Sequence, residues 1–200
     1  MSKRWVFPTL LPDHSTTNKI KKNWRSLKKT LIQIKEQNPD KQILYFDESR
    51  FGTKSKTGLG WFKKGTRTTV KVKLGFKNFY LYSSVNPDNG NNFTLALPFV
   101  NTDCMNIYLA ESSKEIRKDF ILIMDGAGWH KSKNLKIPKN IQIVILPPYC
   151  PELNPAERLW RYIKDNTIKN KVFETLESLE NEVCEFVKNL TKKVVLDICG

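Results

Sequence analysis

The chain has 200 residues, with 34 Lys+Arg against 20 Asp+Glu, a formal charge of +14, 40% hydrophobic and 27% charged residues. That length suits one domain able to bury roughly 70% of its unfolded surface, which argues against intrinsic disorder and removes the need for a disulfide or a structural metal. The longest apolar runs, ILIM at 121–124 and IVIL at 143–146, fall far short of the ~20 residues a bilayer helix requires. Pro8 and Pro12 interrupt any signal-like apolar stretch. The four cysteines (104, 150, 184, 199) form no CxxC pair and read as reduced thiols, and with only His14 and His130 beside them there is no zinc-ligand spacing. These features read as a cytoplasmic protein with no membrane partner.

The positive charge is uneven. It amounts to +6 over residues 1–40, +8 over 41–80 and +5 over 131–170, while 81–130 and 171–200 are net acidic. Basic blocks of this kind suit a surface that tracks a phosphate backbone, because each neutralised phosphate releases counterions. Nucleic acid is the partner the charge favours.

In chain order, residues 1–18 read as an arm, and the spacing of Ile20, Trp24, Leu27, Leu31, Ile32 and Ile34 predicts a lead-in helix over 19–37, stopped by Asn38-Pro39-Asp40. This divides the chain into a basic arm and lead-in helix (1–40) and a main domain (41–200). KQILYFDESRF (41–51) predicts a strand ending near Asp47, with further strands in 68–76, 78–85 and 92–100 and a turn at 86–92. Asn101 or Thr102 caps a helix carrying Met105, Tyr108, Leu109 and Ile116 as far as about Lys118. The continuous apolar runs DFILIMD (119–125) and IQIVILPPY (141–149) predict central strands covered on both faces, joined by a basic connection. Two helices follow, one starting at Pro155 and one carrying Leu176, Leu179, Val183, Phe186 and Leu190. The order is that of an α/β fold: a mixed central sheet flanked by helices.

Both central strands close in a carboxylate, Asp47 after LYF and Asp125 after ILIM. On adjacent strands they would lie a few ångströms apart, which like-charge repulsion disfavours unless a cation is bound. Taken singly, each also reads as an ordinary turn or cap aspartate. Glu157 is the third candidate. Asn154 can be an N-cap, Pro155 the first helical residue and Glu157 a capping-box glutamate, so capping alone would explain it. The proline-studded PPYCPELNP nonetheless fixes how this helix start is presented. Strand alternation sends Glu48 to the face opposite Asp47, and Glu152 precedes the helix as an exposed residue.

Four ordered motifs, FDESRFG (46–52), GWFKKGTR (60–67), MDGAGWHKS (124–132) and LPPYCPELNPAERLW (146–160), resemble the catalytic domain of bacterial insertion-sequence transposases of the mariner superfamily. The likeness runs from about Lys41 to Trp160. It implies an RNase H-like fold and a DDE catalytic triad of Asp47, Asp125 and Glu157 that binds two Mg²⁺ ions, with Mn²⁺ as a substitute. It further implies cleavage of DNA at element ends and strand transfer into target DNA. Gly126 stands where relatives frequently carry Asn. Within that resemblance Trp61, with Gly60 and Gly65, either shapes a strand connection near DNA or, the favoured reading, is a buried aromatic between hairpin strands; His130 lies close enough to Asp125 to touch a metal ligand or a phosphate, and Trp160 packs in the core. Arg158 or Arg161 faces DNA, and Lys54, Lys56, Lys63, Lys64 and Arg67 hold phosphates. A homodimer pairing two DNA ends is a candidate assembly. The roughly 40 residues before the first strand supply one helix rather than a helix-turn-helix reader. An upstream helix-turn-helix half of a split transposase is therefore a candidate partner, and a truncated relic the other explanation. The competing functions are another RNase H-like nuclease and a non-catalytic DNA-binding remnant or regulator.

Overall fold

A computed structural model describes residues 29–54, 56–57, 69, 74–128, 132–146 and 154–200. The expected arm at 1–18, the first half of the lead-in helix, Trp61, His130 and Glu152 lie outside the described residues.

Five strands form one sheet: β1 (Gln42–Gly52), β2 (Asn78–Val85), β3 (Asn92–Leu97), β4 (Phe120–Met124) and β5 (Ile141–Ile145). Their order is β3-β2-β1-β4-β5. The β1–β2 and β2–β3 pairs are antiparallel, and the β1–β4 and β4–β5 pairs are parallel. This is the mixed sheet expected. Helix α1 occupies residues 29–37, followed by α2 (Thr102–Ile116), α3 (Pro155–Thr167), α4 (Leu176–Lys188) and α5 (Lys192–Cys199).

The period of two sorts β1 and β4 into two faces. Leu44, Phe46, Phe120, Leu122 and Met124 pack with Met105, Tyr108 and Leu109 of α2. On the other face Ile43, Tyr45, Ile121 and Ile123 meet Leu31 and Ile34 of α1. Further along that face Phe51, Phe79, Leu81 and Val85 meet Ala156, Leu159 and Trp160 of α3, Leu179 and Val183 of α4, and Val195 of α5. All five β4 residues are buried, as an apolar strand covered on both faces should be.

Several boundaries differ from the sequence reading. β1 does not end near Asp47 but runs to Gly52, because its antiparallel ladder with β2 continues from Tyr45↔Val85 to Gly52↔Asn78 after the β4 ladder has stopped at Tyr45↔Ile123. Residues 74–76 are not strand, and Leu74 and Phe76 are exposed. β3 stops at Leu97 because Pro98 has no N–H to donate to a ladder. Asn101 is the helix cap, its side chain accepting from Cys104 N at 2.8 Å. The closing segment contains a third helix, α5, capped by Thr191.

The start of α3 is bound to the sheet by Asn154, a buried residue with two tasks. Its side-chain oxygen accepts from Ala156 N (3.1 Å), capping the helix, and its Nδ2 donates to the carbonyl of Phe46 on β1 (2.8 Å). Asn154→Asp keeps the cap and loses the donor to β1, whereas Asn154→Ala loses both. We expect a loss of about 1 to 2 kcal/mol for the alanine variant, and for the aspartate a comparable loss that is largest where its carboxylate is ionised. Urea unfolding at two pH values measures both; an aspartate variant as stable as wild type would show that the contact with Phe46 contributes nothing.

Candidate active site

The register relates the two aspartates to one strand pair. Tyr45 lies opposite Ile123 in the last parallel pair between β1 and β4. Two residues further along, Asp47 is still within β1, on the face of Tyr45, whereas Asp125 is the first residue past the end of β4, the neighbouring strand at ~4.8 Å spacing. The face of Tyr45 is also the face that α3 covers. Glu157 stands at the third position of α3, its N–H bonded to Asn154 O at 3.1 Å, and Asn154 is in turn tied to the residue beside Asp47.

Asp47 and Glu157 interact electrostatically. Burial, then the charge of Glu157, then that of Glu48 raise the Asp47 carboxyl from the ordinary 3.8 to about 7, against the lowering effect of hydrogen bonds from the Trp160 indole and the Glu48 backbone. The Trp160 Nε1–H donates to Asp47 Oδ2 at 2.9 Å. Asp125 is exposed, and its Oδ1 accepts from Ala127 N at 3.1 Å in a tight local turn. Among the described residues no three His, Cys, Asp or Glu side chains stand close enough together to hold a metal ion. The described arrangement is thus an electrostatically coupled Asp47–Glu157 pair, with Asp125 on the same edge but turned to its own backbone.

Glu48 falls on the opposite face, where its charge raises the hydroxyl values of Tyr82 and Tyr108 in the α2-side core, secondary to their burial. Of the expected phosphate-holding residues, Lys54 is exposed and Lys56 Nζ pairs with Asp165 at 2.8 Å. Lys63, Lys64 and Arg67 lie outside the described residues. Arg158 is exposed, and its guanidinium donates to the carbonyls of Cys199 and Gly200, bracing α3 against the end of α5. Arg161 is exposed.

Two residues escaped the sequence reading. Trp160, expected only in the core, also holds a carboxylate. Lys164 places its ammonium 5.3 Å from the Phe51 ring centroid, within the field of Glu157 and Asp47. Burial, then Lys56, lowers its value from 10.5. The available signal was spacing, since 157, 160 and 164 share one stripe of a helix. Chemically, hard carboxylate oxygens crowded beside buried cationic groups suit a divalent cation and a phosphate, because a cation removes the repulsion between the acids.

A family model described as "DDE superfamily endonuclease" matches residues 42–180. The uncharacterized protein y4pE/y4sA of Sinorhizobium fredii is 36% identical over 107 residues, covering 52% of this chain and 79% of that protein. The insertion element IS630 uncharacterized 39 kDa protein of Shigella sonnei is 21% identical over 175 residues, covering 83% of this chain and 49% of that protein. Among solved structures, the Mos1 transposase paired-end complex with left transposon end aligns with a TM-score of 0.65 at 16% identity, covering 100% of this chain and 62% of that one. The mariner Mos1 paired end complex with Mg aligns at 0.63 and 16% identity, covering 98% and 61%. The fold is therefore RNase H-like, as in the Mos1 catalytic domain. The chain spans about half of the IS630 protein and about three fifths of the Mos1 chain.

The folded state favours the neutral Asp47 carboxyl, since its value lies above the ordinary 3.8. That contribution to stability is complete below about pH 4 and is lost as pH rises through about 7. In a chelating buffer we expect the melting temperature to fall across this window. The full shift corresponds to at most about 4 kcal/mol, reduced where solvent screens the open side. Asp47→Asn should flatten the profile and melt several degrees above wild type at about pH 8; identical profiles would contradict the buried-pair assignment.

Proposed function

Because the chain belongs to the DDE superfamily endonuclease family, as a DDE-type transposase/endonuclease, we propose that Asp47, Asp125 and Glu157 are its catalytic triad and hold two Mg²⁺ ions, which Mn²⁺ can replace. The observation that supports this reading is the coupled pair of Asp47 and Glu157, with Asn154 tying the start of α3 to β1 and Asp125 just past the end of the neighbouring β4. Asp125 completes the set by rotating its carboxylate off the Ala127 amide toward the Asp47–Glu157 pair.

When bound, the metal ions supply Lewis acidity for two in-line phosphoryl transfers, hydrolysis of a phosphodiester at an element end and attack of the freed 3′-hydroxyl on target DNA. The protein positions and charges the site. Asp47 must be ionised to bind a cation, so its raised proton affinity makes cation loading favour higher pH. Lys164 beside Glu157, and Lys54 at the close of β1, give the carboxylate cluster a cationic rim that suits a DNA strand. Double-stranded DNA, at element ends and at the target, is the proposed substrate. The +14 charge supports it. So do the Mos1 neighbours, a paired-end complex with left transposon end and a paired end complex with Mg. A homodimer that pairs two ends and an upstream helix-turn-helix half that reads them complete the proposed assembly.

Asp47→Asn, Asp125→Asn and Glu157→Gln should each reduce Mg²⁺- or Mn²⁺-dependent nicking of supercoiled plasmid at least about a hundredfold, with salt-sensitive DNA binding retained. Gel assays of nicking and filter binding on the same preparations measure the two properties. A variant that still cleaves removes its residue from the triad, and cleavage by all three, or in EDTA, refutes the metal mechanism.

A further inference from the structure

The indole of Trp160 is 3% exposed and is held by packing. Its ring meets Phe51 edge-on, with centroids 6.5 Å apart and planes at 74°. Phe51 itself is fully buried and stacked on Phe79 at 5.7 Å and 23°. These three rings join α3 to β1 and β2, and the Lys164 ammonium lies over the Phe51 ring, 5.3 Å from its centroid. The indole therefore has little freedom, and its one polar atom points at one carboxylate oxygen, Asp47 Oδ2, at 2.9 Å.

We infer that Trp160 is a positioning residue for the cation-binding carboxylate of Asp47. It fixes the rotation of that carboxylate by engaging Oδ2, and so sets how tightly the site takes up a divalent cation. The inference rests on the reading of Asp47 as a metal ligand and goes beyond it by assigning a role to a residue that touches neither metal nor DNA. An indole N–H donates and cannot accept, so it orients a carboxylate without entering a metal's coordination shell. A buried indole can be satisfied by a neutral carbonyl, at no cost in buried charge. Here it is satisfied by a carboxylate crowded by Glu157 and Glu48, an arrangement that costs stability unless the orientation serves binding. The position is also three residues from Glu157, one turn along the same helix face. Any movement of α3 that displaced Glu157 would carry the Asp47 donor with it, so the two acids are kept in step by one rigid element.

The test uses ¹⁵N-indole-labelled protein. The sequence has five tryptophans, hence at most five indole N–H signals, and the one lost in Trp160→Phe belongs to Trp160. If that variant fails to fold, Asp47→Asn identifies the signal by shifting it upfield. Titrated Mg²⁺ should move the Trp160 signal in wild type, with the same midpoint as the rise in melting temperature, and should leave it still in Asp47→Asn. In Trp160→Phe the Mg²⁺ midpoint read by melting temperature should rise about tenfold. A Trp160 signal that ignores Mg²⁺ while the chain is still stabilised, or an unchanged midpoint in Trp160→Phe, overturns the inference and leaves the metal site standing. Absence of any Mg²⁺ stabilisation in wild type overturns both.

Discussion

Two hydrogen bonds between β1 and α3 govern this molecule's chemistry: Asn154 Nδ2 to the carbonyl of Phe46 and the Trp160 indole to Asp47. They join segments more than a hundred residues apart in sequence and bring the start of a helix to the middle of a strand. Everything the site does depends on that join, because Glu157 is exposed on the first turn of α3 and is carried to the sheet by that helix. Behind the join, Arg158 grips the carbonyls at the end of α5, so the closing helices brace α3 from the side away from the acids.

The sheet supplies the other constraint. β1 and β4 are parallel neighbours paired as far as Tyr45↔Ile123, so Asp47 and Asp125 each follow two residues after that last pair. β1 alone goes on, carried by β2, so Asp47 is enclosed within a strand while Asp125 lies in the exposed turn after β4. That asymmetry explains why burial and Glu157 raise the proton affinity of Asp47, the enclosed acid. Holding an acid in so unfavourable a place is a loss to the folded chain at neutral pH, and a site that binds cations is the kind of place where such a loss is tolerated.

Much of this was legible in the sequence. FILIM is apolar at every position, which only a strand covered on both faces tolerates, and it is buried throughout. The helix caps at Asn101 and Asn154 and the proline at the start of α3 were equally readable, because capping is local chemistry. The strand pair that carries the aspartates follows from the same pattern. What was not legible depends on partners distant in sequence. β1 outlasts Asp47 because β2 is there to pair with it, and no feature of DESRF announces that. The α5 helix was missed because its Val194-Val195 pair is stiff at χ1 and a weak helix signal, while the helix is stabilised by burying Val195 and Cys199. Trp160 read as core because its ring does pack there; its N–H, aimed at Asp47, needed the fold to supply the acceptor.

The most direct test of the proposed metal site is anomalous X-ray scattering from crystals of the protein soaked in Mn²⁺. Density peaks in contact with the carboxylates of Asp47, Asp125 and Glu157, with Asp125 turned away from the Ala127 amide, are the predicted result. Ordered Mn²⁺ bound elsewhere, with these three side chains unliganded and Asp125 still held by its turn, would contradict it.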